Sequence, residues 1–479
     1  MEFVTRLVNF NSLFAMSNIR TEIIAGFVTF TTMADAICVQ PAIMSGTMPG
    51  MTPTGMDMNA LVTTTCIAAA LSCFVMGFWA QYPIALAPGM GMNFLLVLSV
   101  MPACAQALGS HVGAEAVWRL ALGTVFVSGA IFVLLATLKM CSAMVNIISP
   151  SMVNAMAVAL GMFIAFFGMK NGGLMIVTKN GLEVGNLLSP EVAVCVIGLI
   201  SGFVLLYWKV PGALLISIII SSFAAFQFHL ISFSNGIIGM PADPRPVIGI
   251  VDIPGINLSK HLGVGALDVV GVWRHLDKLW PSLLVLAFLD FFGAFSTCLG
   301  VLQGGGVLPR NDSSKGNNEE NFPRSRRVFV TNGLGTMIGA VFGHSTITSY
   351  VESAAGVGSG GRTGLTSIVV GILFLLALPF APFVATLGSC APICAPALII
   401  VGSMMFRCVK DIDWNDASEA APAFITIVGM TYTNSITNGI LMGLLMYPIV
   451  KLLTGRVRDI HPGLWILFAM LIGYLFIPK

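Results

Sequence analysis

The chain has 479 residues, of which 56% are hydrophobic and only 9% charged, with a mean hydropathy of +0.92. A soluble globular protein carries about 25% charged residues, so this deficit makes lipid the solvent for most of the chain. The net charge of +2 excludes the basic field that nucleic-acid binding needs, and the ten cysteines and six histidines have no metal-ligand spacing.

A helix crosses the hydrocarbon core in about 20 residues. By that measure, a cytoplasmic tail over 1–21 without a cleaved leader precedes spans near 22–45, 60–79, 117–138, 150–169, 190–208 and 210–229. A Pro/Gly-rich loop of mixed charge, 230–280, marks the midpoint. Further spans follow near 281–302, 325–343, 362–383, 388–406, 419–433 and 434–452, with a polar connection at 303–327 and a short apolar stretch at 463–477. Two irregular segments, 83–100 and 344–358, bring the count to fourteen.

Charge placement orients the set, because cytoplasmic loops collect Lys and Arg. With the N-terminus inside, the inner loops hold Lys139, Lys209, the cluster Arg310, Lys315, Arg324, Arg326 and Arg327, then Arg362, Arg407, Lys410, Lys451, Arg456 and Arg458. Most opposite loops hold neither residue type; Lys170, Lys179 and the midpoint loop are the exceptions.

The midpoint loop divides the segments into seven and seven, the plan of an inverted repeat. Both irregular segments are third in their half. The first, "QYPIALAPGMGMNFLL" (81–96), has Pro83, Pro88, Gly89 and Gly91 where a helix would have to run. The second, "GHSTITSYVESAAGVG" (343–358), is too short to span and carries Glu352. Irregular backbone at membrane depth survives only where protein buries it or it lines a cavity. The two segments are therefore expected to meet near the midplane, with a half-helix starting near Ser345 and Thr346 and Glu352 about two turns into it.

Four polar groups stand out inside these spans: Asp35, Asn93, Asp290 and Glu352. Ionisable groups in lipid are expensive and mark function by default. Free backbone donors at the two half-helices can hold ring nitrogens and carbonyls, while a carboxylate accepts from ring N–H groups. Asn93 also reads as a helix–helix hydrogen bond, Asp35 as a structural group, and Tyr350 as a packing residue.

The stretches "TEIIAGFVTFTTMA", "APGMGMN", "YVESAAGVGSGGRTGLT" and "DWNDASEAAPAFITI" together resemble the azaguanine-type purine permeases. These form the hypoxanthine–guanine–adenine branch of the nucleobase–ascorbate transporter superfamily. The resemblance implies an all-α polytopic membrane protein of fourteen segments in 7+7 inverted repeats, with short strands in segments 3 and 10. It implies a core domain from 22–138 and 281–383 and a gate domain from 139–229 and 384–452, with 453–479 as a C-terminal segment. It also implies inward carriage of a purine base with protons by an elevator-like shift, driven by the proton gradient without a cofactor. Dimerisation through the gate domain and residence in the plasma membrane complete the expectation.

Carried over by motif, Asn93, Glu352 and Tyr350 would contact substrate; Asp290 is expected to bind it too, with Gly89, Gly91, Ser345 and Thr346 supplying backbone around it. Asp290, Asp35 and Glu352 would couple protons, and Phe94, Phe288 or Phe292 could stack on the ring. Two positions depart from the family pattern. In "LDFFGAFSTCLG", Asp290 matches the first of two aspartates, but Gly293 stands at the second. In segment 1, Asp35 stands where tyrosine is usual, so Asp35 is expected to replace the lost acid across the same cavity. An anion exchanger or channel of the same architecture and a non-transporting sensor remain the alternatives. No nucleophile–base set suggests an enzyme.

Overall fold

The computed structural model describes residues 18–48, 51–109, 112–138, 148–178, 181–232, 236–252, 259, 263–304, 306–307 and 324–475. Most of the tail 1–21 and of the connection 303–327 lies outside these, as do Lys139, Lys179, Arg310 and Lys315.

The first apolar run is two helices, α1 (Ile19–Met33) and α2 (Ala36–Ser45), broken at Ala34 and Asp35. Pro41 lies inside α2 and has no N–H to give the ladder. Helix α3 (Met58–Val75) is capped by the Asp57 carboxylate, which accepts from the Asn59 and Ala60 amides, and continues through a π turn to Ala80. It ends at Gln81, whose φ of +60° turns the chain sharply.

Strand β1 (Leu86–Pro88) follows, then α4 (Met90–Leu95), a π turn over Leu96–Val100 and α5 (Met101–Leu108). The third segment thus reaches Leu108 rather than residue 100, because Pro102 falls in the first turn of α5, where a missing N–H costs nothing.

Helices α6 (Ala114–Thr137), α7 (Pro150–Asn171), α8 (Pro190–Tyr207) and α9 (Ala213–Gln227) complete the first half. A hairpin of β2 (Met175–Thr178) and β3 (Gly181–Val184) joins α7 to α8. Ser149 and Ser189 each cap a helix that opens on proline. The midpoint loop contains a two-residue parallel pair, β4 (Gly249–Ile250) with β5 (Gly265–Ala266), and the short α10 (Val269–Arg274).

The second half opens with α11 (Leu276–Gly304) and α12 (Ser325–Val341). Strand β6 (Ile347–Ser349) and α13 (Ser353–Gly358) form the tenth segment. Then come α14 (Gly364–Leu376), α15 (Ala381–Ser389), α16 (Ala391–Phe406), α17 (Ala417–Tyr432), α18 (Ile436–Leu453) and α19 (Pro462–Leu475). Among the described residues, ten helical runs are long and apolar enough to cross a membrane. The other four of the expected fourteen, α9, α12, α17 and the broken tenth segment, are shorter. The last apolar stretch, α19, packs on α18.

Helix packing follows small residues. In α6 and α12, Gly129 and Gly333 face each other so closely that a Cβ on Gly129 would lie 3.0 Å from the Gly333 carbonyl oxygen. In α7 and α16, a Cβ on Gly402 would lie 2.4 Å from the Gly161 carbonyl oxygen. Without a hydrophobic drive between helices in lipid, such close backbone approach supplies the dispersion that holds them. Helix α14 packs on both α1 and α3, α7 packs on α16 and α17, α17 on α18, and α8 on α9 and α16.

Candidate functional site

The two irregular segments meet. β1 and β6 pair antiparallel, with Leu86 opposite Ser349, Ala87 opposite Thr348 and Pro88 opposite Ile347. Two backbone bonds flank the pair, Gly89 N to Thr346 O (3.1 Å) and Tyr350 N to Ala85 O (3.0 Å).

A two-stranded ribbon inside a membrane has two open edges, and each backbone group left unpaired there costs several kcal/mol. Side chains close both edges. On the β1 side, the Leu86 amide donates to Cys73 Sγ (3.3 Å) and the Ala85 amide to Ser353 Oγ (3.0 Å). On the β6 side, the Ser349 amide and hydroxyl both donate to Asn332 Oδ1, each at 2.9 Å. The Pro88 carbonyl accepts from the Tyr350 hydroxyl and from Gln40 Nε2, both at 2.5 Å.

Gln40 is the centre of a further network. Its Nε2 also reaches the Tyr350 hydroxyl (2.9 Å), and its Oε1 accepts from Asn93 Nδ2. Asn93 Oδ1 in turn accepts from the Ser345 hydroxyl and, at 3.4 Å, from the Ser345 amide. Gln40, Asn93 and Ser345 are fully buried. The amide of Asn93 is therefore engaged at both ends with protein, joining segments 1, 3 and 10, and the Tyr350 hydroxyl is likewise held. Gly89 is the cap residue of α4, and Gly91 sits against the Leu160 side chain. Thr346 gives its carbonyl to Gly89.

Glu352 does not lie two turns into a helix. Residues 347–349 are extended, and Glu352 is the cap position of α13, which starts at Ser353. The amides of Ser353, Ala354 and Ala355 donate to the Tyr350, Val351 and Glu352 carbonyls, so the tight turn uses the donors expected to be free. At α4, by contrast, the first intrahelical bond runs from Asn93 N to Gly89 O, leaving the Met90, Gly91 and Met92 amides at the positive end of the run to Leu108.

Asp35 lies at the break between α1 and α2, 2% exposed, with Oδ2 lacking a hydrogen-bond partner among the described residues. Its charge acts on that of Glu352, which is half-buried and comes from the opposite half of the chain. Thr32 Oγ1, one turn before Asp35, reaches to 3.5 Å from the Glu352 carbonyl oxygen.

Asp290 is buried in α11, where Oδ2 accepts from Thr336 Oγ1 (2.5 Å) and Oδ1 has no partner among the described residues. Gly293, one turn further, is exposed, and a Cβ there would meet nothing within 4 Å. Phe94 is sealed against Phe163 and Phe167, and Phe292 is buried against Phe288 and Phe291.

Sequence reasoning passed over Gln40, Asn332, Thr336 and Glu22. A lone buried amide in an apolar run was the available signal for the first two. The fully buried Glu22 carboxylate accepts from the Arg362 and Thr363 amides (3.0 and 3.2 Å) and the Thr366 hydroxyl, at the start of α14. Arg362 Nη1 donates to the Val357 (2.5 Å) and Gly361 (2.7 Å) carbonyls, satisfying the end of α13. Elsewhere, buried Lys451 pairs with Glu419 at 2.8 Å, and Glu419 also accepts from Ser149 Oγ (2.6 Å) and Tyr447 (3.0 Å).

The Permease family model Xan_ur_permease matches residues 20–442. The chain belongs to that family. The permease is 33% identical to the guanine/hypoxanthine permease PbuO of Bacillus subtilis, over 95% of its own length and 96% of the relative's. It is also 33% identical to the adenine permease AdeP of Escherichia coli K12, over 96% of its own length and 92% of the relative's. Among solved structures, the transmembrane domain of the cyanobacterial bicarbonate transporter BicA superposes on the permease with a TM-score of 0.57. That likeness, at 14% identity over 89% of the permease and 98% of the BicA domain, concerns the fold alone.

Proposed function

We propose that this permease carries purine nucleobases (adenine, guanine or hypoxanthine) inward, coupled to protons, by an elevator movement of one helical bundle against another. The observation that carries the reading is the 33% identity, over nearly the whole chain, to guanine/hypoxanthine and adenine permeases. The paired half-helix segments and the carboxylates around them supply the chemistry.

In this mechanism Glu352 accepts from a ring N–H, and the α4 amides donate to ring nitrogens or a carbonyl. Asp35 and Glu352 repel each other when both are ionised, and like charges at close range favour a proton on one of them. A proton arriving with the base relieves that repulsion, and a neutral carboxyl crosses a dry site at lower cost than a carboxylate. Asp290 is the second proton carrier, set against Thr336. The Gln40–Asn93–Tyr350 network keeps the two half-helix segments in register while they move. The bundle holding α1–α6 and α11–α14 is the moving core, and α7–α9 with α16–α18 is the gate, through which two copies of the chain associate. The cell membrane is its site, with the N-terminus inside, and the proton gradient drives uptake.

Uptake of labelled adenine, guanine and hypoxanthine into a host lacking its own permeases tests this, with and without a proton uncoupler. Uptake that collapses with the uncoupler is expected. Flux of sulfate or bicarbonate without nucleobase uptake would establish an anion exchanger instead, and neither flux would leave a sensor.

A further inference from the structure

Cys38 in α2 and Cys394 in α16 are 356 positions apart in sequence, yet their sulfur atoms lie 3.3 Å from each other. Both are free thiols and both are buried, at 4% and 0% exposure. Their other polar contacts are weak, with Cys38 Sγ 3.9 Å from the Val384 carbonyl oxygen and Cys394 Sγ 4.0 Å from that of Leu387. A disulfide bond is about 2.05 Å long, so closing it needs an approach of roughly 1.3 Å.

We propose that Cys38 and Cys394 are an oxidisable dithiol whose disulfide fastens segment 1 to segment 12 and arrests transport. The oxidant is a hydroperoxide. One thiol is oxidised to a sulfenic acid as the O–O bond of the peroxide breaks and an alcohol or water leaves. The sulfur of the second thiol then attacks the first sulfur, the S–O bond breaks, and the hydroxyl departs as water with the second thiol's proton. The two sulfurs lose two electrons in total, and the peroxide accepts them.

The arrest rests on the elevator reading above. Cys38 follows Asp35 by three positions, nearly one helical turn, so it travels with that carboxylate. Cys394 belongs to α16, which packs on α7, α8 and α9. If those two bodies slide past each other, the sulfur atoms must part on every cycle. A covalent link between them stops the cycle, and a dithiol reductant restores it.

The link is read separately from transport. A protease site inserted between residues 311 and 321 allows the full-length protein to be cut after membranes are treated with hydrogen peroxide. Cys38 then lies on one fragment and Cys394 on the other. On a denaturing gel without reductant, the fragments are expected to stay joined in the parent and to part in Cys38→Ser and Cys394→Ser. Purine uptake is expected to fall at least tenfold on oxidation in the parent only, and to return with dithiothreitol. Fragments that part after oxidation, or stay joined in either serine variant, overturn the dithiol. Joined fragments with unchanged uptake overturn the arrest. Absent uptake before oxidation counts against the proposed function, while the gel still decides the link.

Discussion

Asp35, at the break in segment 1, and Glu352, at the turn that opens α13, come from opposite halves of the chain and are brought into electrostatic reach by the packing of α13 on α1. Among the described residues, neither carboxylate has an ion-pair partner. If the pair holds substrate and proton, Glu352→Gln abolishes purine uptake. Asp35→Asn lowers it at least tenfold and flattens its dependence on external pH. Initial-rate uptake between pH 5 and 8 checks both. A parental rate and pH profile in Asp35→Asn would remove Asp35 from the mechanism.

The open space at Gly293 gives a second, constructive test. A side chain there meets nothing within 4 Å, so Gly293→Asp is expected to fold without a steric clash. Combined with Asp35→Asn, it should recover part of the lost uptake by returning an acid to α11. Thermal unfolding in detergent reads the first expectation, and uptake by the double variant reads the second.

Gly339 is the opposite case. A Cβ on it would lie 2.3 Å from the Ser345 carbonyl oxygen, which is backbone and has no room to retreat. Gly339→Ala should push β6 away from α12 and abolish uptake, while the matching change at Gly293 leaves it intact. Comparing the two alanine variants at equal membrane abundance decides this.

Gln40→Leu keeps the volume of Gln40 but leaves Asn93 Nδ2 without its acceptor and removes one of the two donors to the Pro88 carbonyl. A buried polar group without a partner costs about 1–3 kcal/mol. The variant should unfold at lower temperature and lose uptake, whereas Asn59→Leu, outside the network, should do neither.

Lys451 is buried and pairs with the half-buried Glu419 at 2.8 Å, so removing Glu419 leaves Lys451 only the longer 3.9 Å approach to Asp416. Glu419→Leu alone is expected to destabilise the protein, and joining it to Lys451→Met should recover much of the loss. Double-mutant thermal unfolding measures the difference. At the rim of this cluster, the Ser418 hydroxyl and amide, then Arg456 and Lys451, hold the Asp416 carboxyl below the usual carboxylate range.

Much of this fold is legible from the sequence because lipid imposes simple rules. Apolar runs of fixed length give the spans, and proline and glycine at 83–91 give the interruption. The meeting of β1 and β6 follows from the need to bury irregular backbone. What the pattern does not carry is how the ribbon's edges are closed. Asn332, Cys73 and Ser353 look like ordinary residues of apolar helices, and their bonds to β1 and β6 exist only once the chain is folded. The start of α13 is hidden for a related reason. Thr346 to Ser349 read as a helix start or a strand with equal ease, and pairing with β1 decides for the strand.

The pairing also bears on how the protein is made. Residues 86 and 349 become neighbours, yet the ribosome delivers the second long after the first. At about 5–20 residues per second, the wait is roughly 13–50 s. Throughout that interval the nascent first half holds an extended stretch with no partner strand in the bilayer. It must therefore shelter beside the insertion machinery, or hold water around Ala85 to Pro88, until the later half arrives. Biogenesis of this protein is thus closer to the docking of two half-built bodies than to the stepwise addition of independent helices.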